Sequence, residues 1–355
     1  MNDTSTAAAD QAAALVGRHY RMVDHYEVGR EKIREFARAV QDHHPAHWRE
    51  EAAAALGYDS LIAPLTFPAV VWIQMQRAMF DAVLTGYDIS QVLQTEQTIR
   101  MYRPLVAGDR LRCDAYVESF RRFGDKDFMV TRNVLSDEYK EIVQVARTTV
   151  VAVTGAVVTD ELAAAVDGVI MSGHSKADRL AAAARRAEDT DEPAVVECFD
   201  QLTAVDPEPV RPSRARVRFD DLGIGDTLPS RTVALSRGDL VNYAGVSGDS
   251  NPIHFSDRVA RAAGLPDVVS HGLLTMGLGA GYLTEWLGDP AAVTHYGVRF
   301  AGFAPVDPVR SGAIEFHGRI TGLDARRGSA TVAITATCGG RKLFGRATAE
   351  VLLRC

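Results

Sequence analysis

The sequence predicts an α+β protein made of two related halves, each with one long buried helix followed by a run of antiparallel strands. Three observations predict this fold: an internal repeat, a long apolar helix in each half, and strand patterns that follow the helix without interruption. Strands and helices do not alternate along the chain, which argues against a doubly wound nucleotide-binding sheet.

The internal repeat is visible around two short loops. Residues 35–48 align without a gap with residues 242–255, and Asp42 and Asp249 are 207 positions apart, as are His47 and His254. Further along, Leu-Thr at 65–66 matches Leu-Thr at 274–275 if a slip of two residues is allowed. Two related units in one chain imply duplication, or fusion, of a fold that forms dimers.

The elements of each half follow the same order. A short strand, 227–235 in the second half, and a helical piece lead into the loop. Long stretches at 67–86 and 272–288 are apolar on nearly every face, so each predicts a largely buried helix. The stretches after the second helix have alternating or β-branched patterns typical of strands, at 293–306, 313–323, 329–338 and 342–354. A sheet wrapped around a central helix accommodates this order.

Length and composition indicate a globular protein of two domains. The chain has 355 residues, 46% hydrophobic and 24% charged, with a net charge of −7 that argues against nucleic acid as the main partner. No apolar run reaches the ~20 residues of a membrane helix, and the first residues do not resemble a secretory signal. The four cysteines have no zinc-ligand spacing. We therefore expect a cytoplasmic protein with neither a membrane nor a nucleic-acid partner.

The middle of the chain differs in composition from both ends. We predict an N-terminal domain at 1–156, a linker at 157–214 rich in Ala, Arg, Asp, Glu and Pro, and a C-terminal domain at 215–355. Within the linker, 181–188 has the pattern of a short polar helix, and the prolines of 206–213 predict an extended connection.

The candidate chemistry of the second half lies in the loop ValSerGlyAspSerAsnProIleHisPhe at 246–255. Asp249 and His254 are five residues apart among glycine, asparagine and proline, so they do not share a helix face. Loops on a rigid scaffold are common positions for acid and base groups. The same cluster is also typical of a simple Asx turn, and the pair alone does not decide between the two.

A second candidate is the start of the long helix, SerHisGlyLeuLeuThrMet at 270–276. The first N–H groups of a helix have no partner inside it, so they can bind a polarised carbonyl or an oxyanion. Every helix has such an N-terminus, so this feature by itself does not identify a binding site. In the first half, His43, His44 and His47 lie close together, but no carboxylate or cysteine completes a ligand set by spacing, and we predict no metal site.

Taken together, these motifs resemble a known family. GlyAspSerAsnProIleHis at 248–254, Ala260, HisGlyLeuLeuThrMet at 271–276 and GlyLeuGlyAlaGlyTyrLeu at 277–283 are similar to the hydratase motif of MaoC-type (R)-specific hydratases and dehydratases. Residues 216–355 resemble the catalytic subunit of the mycobacterial-type (3R)-hydroxyacyl-ACP dehydratase, and residues 15–152 resemble its partner subunit, which binds substrate. The resemblance implies a double hotdog, two fused subunits that form an intramolecular pseudo-dimer with one continuous sheet.

The resemblance also implies roles for individual residues. Dehydration removes a proton from C2 and expels the C3 hydroxyl, so it requires a base, an acid and a donor for the enolate-like oxygen. His254 is implied to take the C2 proton, and Asp249 to protonate the departing hydroxyl or to orient the water in the reverse reaction. The sequence does not decide which of the two is the acid and which the base, and a coupled pair can share this work. Gly272 is implied to donate its N–H to the thioester carbonyl. The supporting loop residues are Gly248, Ser250 and Asn251. No metal, nucleotide or flavin cofactor is required for this elimination.

The first half departs from the motif. It keeps Asp42 and His47 but has Gln41, His43 and His44 in the places of Gly248, Ser250 and Asn251. Depending on the slip, Ala63 or Leu65 takes the place of Gly272. We therefore expect a degenerate loop that serves packing, with a second active site as the alternative. The apolar face at 69–75 of the first long helix is predicted to line a tunnel for an acyl chain, with ordinary core packing as the alternative.

The expected function is the dehydration of (3R)-hydroxyacyl-ACP to trans-2-enoyl-ACP in fatty-acid elongation of the mycolic type, with acyl carrier protein as partner and other synthase enzymes as further contacts. The alternatives are hydration of enoyl-CoA and, from a different class, a non-catalytic thioester-binding unit. Because the carrier is acidic, its docking requires a local basic cluster. The candidates are Arg299, Arg310, Arg319, Arg341, Lys342 and Arg346.

Overall fold

The computed structural model describes residues 3–84, 87, 92–124, 126–153, 160–172, 178, 194–198, 213–309 and 312–354. Its helices are α1 (Asp3–Ala14), α2 (Arg30–Ala39), α3 (Glu50–Ala55), α4 (Ala69–Ala82), α5 (Asp160–Asp167), α6 (Arg237–Ser247), α7 (Asp257–Ala262) and α8 (Gly272–Leu287). Within these residues, none of the helices has the length and apolar character needed to cross a membrane.

The strands are β1 (His19–Met22), β2 (Tyr26–Glu27), β3 (Val92–Met101), β4 (Arg110–Phe123), β5 (Lys126–Ser136), β6 (Ile142–Val153), β7 (Val195–Cys198), β8 (Arg231–Leu235), β9 (Val293–Phe300), β10 (Gly312–Asp324), β11 (Ser329–Cys338), β12 (Arg341–Lys342) and β13 (Phe344–Leu352). They form one sheet in the order β7-β1-β4-β5-β6-β3-β9-β13-β11-β10-β8, with β12 paired to β11 and β2 paired to β4. All of the pairings between these strands are antiparallel.

The two halves of the sheet join where β3 pairs with β9. Thr98 lies opposite Gly297, and a Cβ on Gly297 would stand 3.2 Å from the Thr98 side chain, so the seam is tight at this point. The hydrophobic core is shared as well: the rings of Phe36 in α2 and Tyr243 in α6 lie 6.1 Å apart between their centroids. The sheet and core therefore bring residues of one half against the other.

Each long helix packs against the loop of the opposite half. Gly277 of α8 lies so close to the first half that a Cβ there would stand 2.6 Å from Val40, and Gly281 faces Asp42. In the reverse direction, Ile73 of α4 is 4.0 Å from the position that a Cβ on Gly248 would take. Because α8 presents glycine where α4 presents larger side chains, the loop of the first half is covered more tightly.

The predicted element boundaries differ from the structure in a few places. The first long helix was expected from 67, but it begins at Ala69 because a series of turns through Pro68 precedes it, and residues 85–86 lie outside the described part. The predicted linker contains α5 and β7, and β7 extends the sheet by pairing with β1. The stretches 181–188 and 206–212 lie outside the described residues.

Candidate active site

The loop of the second half is built by Asx-type hydrogen bonds between the end of α6 and a single 3₁₀ turn. Gly248 ends α6 with φ of +82°, a conformation that favours glycine. The Asn251 N–H donates to the Asp249 carboxylate at 3.4 Å, and the Ile253 N–H donates to the Asn251 side chain at 3.2 Å. The Asx turn and the catalytic interpretation are therefore compatible, since the turns fix the backbone that carries Asp249 and His254.

His254 is held with one ring nitrogen fixed and the other open. Its Nδ1 lies 2.7 Å from the carbonyl oxygen of Val269, which can only accept, so Nδ1 carries the proton and Nε2 of the neutral ring has a free lone pair. The side chain is buried. Burial lowers the pKa of His254, partly opposed by the Asp249 carboxylate and the Val269 carbonyl. His254 is thus arranged to accept a proton at Nε2.

Asp249, His254 and His271 converge on one point. A carboxylate oxygen of Asp249 and one ring nitrogen of each histidine all lie within 4.8 Å of one another, although the loop and the helix are separate in sequence. Asp249 is only half-buried, so its carboxylate is open to an incoming molecule. The spacing would also suit a metal ion, which the elimination chemistry does not require.

His271 lies immediately before the first residue of α8, and the structure places it directly against His254. The two rings stack with centroids 3.7 Å apart, and Nε2 of His271 lies 3.3 Å from the backbone carbonyl of Asp249. Burial and the positive charge of a protonated His254 lower the pKa of His271 to about 3, so it stays neutral. His271 therefore links the loop to α8 and forms one wall for the ring of His254.

Gly272 begins α8 and has an exposed backbone. Its N–H makes no hydrogen bond with any described residue, as expected for the first turn of a helix. A Cβ at this position would lie 3.3 Å from the ring of Phe300, so even alanine would crowd the approach. Because Gly272 has no side chain, a carbonyl oxygen has room to reach its N–H.

The first half repeats the hydrogen-bond pattern of this loop. His47 Nδ1 lies 2.6 Å from the Ile62 carbonyl, 207 positions before the Val269 acceptor, and the His44 N–H donates to Asp42 at 3.1 Å. Gln41, in the place of Gly248, also has a positive φ of 50°. Ala63 donates its N–H to Leu105 as Ser270 does to Ala304, so the repeat continues unbroken and Leu65 takes the place of Gly272.

The first-half pair is closed where the second-half pair is open. His47 Nε2 lies 3.3 Å from the Asp42 carboxylate, and both side chains are buried. Burial raises the pKa of Asp42 and lowers that of His47, but their mutual attraction and hydrogen bonds outweigh it, so the Asp42 pKa falls and the His47 pKa rises. The pair is therefore shielded from solvent, whereas Asp249 of the second half is half-buried.

Helix α4 of the first half contributes to the second-half site. The Arg77 guanidinium donates to the Gly248 carbonyl at 2.9 Å and contacts the Ser250 hydroxyl at 3.4 Å. Ser250 and Gly248 thus anchor the loop to the opposite half. Sequence reasoning missed Arg77, because 171 positions separate it from Gly248 and its helix was interpreted from the apolar pattern.

A mostly apolar cavity lies between α4 and the inner face of the first-half sheet. Leu273, next to Gly272, contributes to its wall together with Trp72, Met75 and Met79 of α4. The cavity volume is about 40 Å³, so a larger molecule enters only if side chains move aside, which methionines do readily. Of the face at 69–75, Trp72, Ile73 and Met75 line this cavity, whereas Ala69, Val70 and Val71 are buried in the core, so the acyl tunnel stays a prediction.

Two family descriptions match the chain. Residues 14–145 match the FAS1-like dehydratase domain region, and residues 223–336 match the MaoC-like domain. The chain is 42% identical to a solved MaoC-like dehydratase, with a TM-score of 0.84, 96% of this chain and 99% of that chain covered. The chain belongs to the MaoC-like dehydratase family. Its two matches show two dehydratase domains fused in tandem.

Two other comparisons agree with this assignment. A UPF0336 protein of Mycobacterium leprae is 45% identical over 135 residues, which are 38% of this chain and 85% of that protein. A conserved hypothetical protein of Mycobacterium tuberculosis, described as having a double hotdog fold, is 15% identical with a TM-score of 0.57, covering 95% of this chain and 96% of that one. The likeness in fold confirms the predicted α+β double hotdog.

Proposed function

We propose that this MaoC-like dehydratase interconverts (3R)-hydroxyacyl and trans-2-enoyl thioesters at the second-half site, with acyl carrier protein as the preferred carrier. The observation that carries the proposal is the convergence of Asp249, His254 and His271 on one point. The groups available there are the open Nε2 of His254, the half-buried Asp249 and, next in the chain after His271, the free N–H of Gly272. They correspond to a base, a partner for the proton and an electrophilic donor, which the elimination requires.

The proposed reaction uses these groups in one balanced sequence. The thioester carbonyl accepts the Gly272 N–H, which stabilises the negative charge that develops on its oxygen. Nε2 of His254 takes the C2 proton while the C3–O bond breaks, and the departing oxygen takes a proton from the Asp249–His254 pair. Water leaves, and the pair ends with as many protons as it had at the start.

The carrier preference is supported by a basic cluster near the site. Arg299 and Arg346 are neighbours across β9 and β13, and Lys342 lies at the turn that approaches Gly302. Phe300, next in the chain after Arg299, faces Gly272, so the alternation of side chains places Arg299 on the opposite face of the same strand. A protein carrier engages several spaced charges, whereas CoA requires a compact pocket for its phosphates. Arg341 belongs to the same turn as Lys342.

The test is turnover of purified variants on a trans-2-enoyl thioester, followed by the loss of enoyl absorbance. Asp249→Asn and His254→Gln should each lower kcat about 10²–10⁴-fold, because each removes a group that acts in the transition state. The double variant should be little slower than the slower single variant, since the two act as a unit. His317→Gln, at an exposed histidine of β10, is the matched control.

Near-normal turnover in either single variant, with an unchanged circular dichroism spectrum, would overturn the assignment. Hydration of enoyl-CoA is the second candidate, because the three groups act on the thioester and not on its carrier. Equal kcat/KM on the CoA and ACP forms of one acyl chain would favour it.

A further inference from the structure

The cavity beneath α4 has a polar strip on an otherwise apolar wall. Gln97 of β3, Thr148 of β6 and Thr131 of β5 lie side by side in register and line the cavity. Asn133 lies two residues beyond Thr131 on the same strand and lines it as well. Polar groups inside a core cost free energy unless they are hydrogen-bonded, so a strip of them calls for a partner.

Part of this strip is satisfied within the wall. The Thr148 hydroxyl donates to Gln97 Oε1 at 2.7 Å, and the Gln94 amide donates to the same oxygen at 2.7 Å. The Gln97 amide donates to the Thr98 carbonyl at 3.2 Å. Gln97 is therefore fixed by its neighbours, and it holds the polar strip in place without needing a ligand.

Asn133 is different, because its side chain has no hydrogen-bond partner among the described residues. It is 7% exposed and lines the cavity, so its amide faces the space that an acyl chain would occupy. The indole N–H of Trp72, a residue of α4 on the same cavity, is also buried without a hydrogen-bond partner. Two elements of the wall thus carry unused hydrogen-bonding groups.

The polar character stops at the seam of the sheet. The same row of side chains continues from Gln97 into the second half through Val298 and Ala347, both buried and both apolar. A strip required for sheet packing alone would have no reason to change character at this point. Its confinement to the cavity indicates a role in ligand recognition.

We propose that the Asn133 strip is a subsite for an oxygen substituent, a hydroxyl or keto group, on the inner part of the acyl chain. This inference rests on the proposed function, because it assigns the substrate class of the same site. The cavity joins Leu273, beside Gly272, to Asn133.

The experiment compares acyl chains of one length, either unsubstituted or with a hydroxyl at successive inner carbons. The wild-type protein should show one hydroxyl position with a kcat/KM about fivefold to tenfold above the unsubstituted chain, the effect of one net hydrogen bond. Asn133→Leu should reduce this ratio to about one. Met129→Leu, an apolar exchange on the same strand and cavity, should keep the ratio.

A binding measurement separates this inference from the proposed function. Calorimetry with saturated acyl-N-acetylcysteamine thioesters, with and without the hydroxyl, should give the same preference in the wild type and none in Asn133→Leu. If no hydroxyl position is preferred in either measurement, or if Asn133→Leu keeps the preference, the subsite is disproved. Loss of turnover on every thioester with the binding preference intact would disprove the dehydratase proposal and leave the subsite standing.

Discussion

The two histidines of the repeat show how one local arrangement gives opposite chemistry. His47 and His254 each bind a backbone carbonyl through Nδ1, at 2.6 and 2.7 Å. His47 has the Asp42 carboxylate 3.3 Å away, and its pKa is raised. For His254 the effect of burial is larger than that of the Asp249 carboxylate and the Val269 carbonyl together, and its pKa is lowered. The same backbone contact thus accompanies a raised pKa where attraction to a buried carboxylate is larger, and a lowered pKa where burial is larger.

The pH dependence of activity follows from the lowered pKa of His254. The base must be unprotonated, and a free histidine would lose this form below about pH 6.5. Because burial favours the neutral ring, kcat/KM should stay level as the pH falls through 6.5 and decline only below it. Rates measured between about pH 5 and 8 check this. A decline centred at or above pH 6.5 would contradict it.

At this scale, sequence could identify the residues of the loop but not those that approach it from elsewhere. The repeat and the spacing singled out Asp249 and His254, because both residues belong to one short segment. The stacking of His271 on His254 and the contact of Arg77 with Gly248 depend on how helices pack. A basic residue within an apolar helix was the one available signal for Arg77.

Among the elements, the difference between the two long helices explains why one site is open. The glycines of α8 let it approach Val40 and Asp42 closely, so the first-half loop is sealed. Where α4 contacts the second-half loop, it has the larger side chains of Ile73 and Arg77. A cavity remains beside α4. Pattern analysis predicted both helices as buried, since it measures apolarity, but it could not show how closely each one packs.

The sealed pair gives a prediction about stability. Asp42→Asn should lower the free energy of unfolding by about 3–5 kcal/mol, because His47 loses the partner of a buried charge. Turnover per folded molecule should change several-fold at most, since the pair has no access to substrate. Urea unfolding and kcat at low urea measure the two effects. Glu138→Gln, at an exposed carboxylate, is the control for loss of one negative charge.

A fall in kcat comparable to that of Asp249→Asn, without loss of stability, would show instead that the first half has a working site. An unchanged free energy of unfolding would show that the Asp42–His47 pair makes no net contribution to stability.

For the whole molecule, the continuous sheet makes each half necessary to the other. Where β3 pairs with β9, Arg299 lies opposite Glu96. Phe300, the next residue of β9, lies against Gly272. Sequence predicted two fused units because the repeat is direct evidence of duplication. It could not predict that β7, from the predicted linker, joins the sheet edge beside β1, since four residues rich in valine have little signal of their own.

The carrier proposal is tested by charge reversal on the molecular surface. Of the six predicted cations, Arg299, Arg341, Lys342 and Arg346 are exposed around one region of β9, β12 and β13. Arg319 lies on β10, near Gly225 and away from this cluster, and Arg310 lies outside the described residues. The double variant Arg299→Glu/Arg346→Glu should therefore raise KM for the ACP substrate much more than for the CoA thioester.

The control is Arg326→Glu/Arg327→Glu, which makes the same change in net charge at the exposed turn between β10 and β11. It should leave both KM values close to those of the wild type, because long-range repulsion of the acidic carrier is screened within roughly 10 Å at 0.1 M salt. For the same reason, the ACP effect of the first variant should shrink as salt rises. Equal KM changes on both carriers, or an equal effect of the control, would remove the argument for ACP and favour CoA thioesters as substrates.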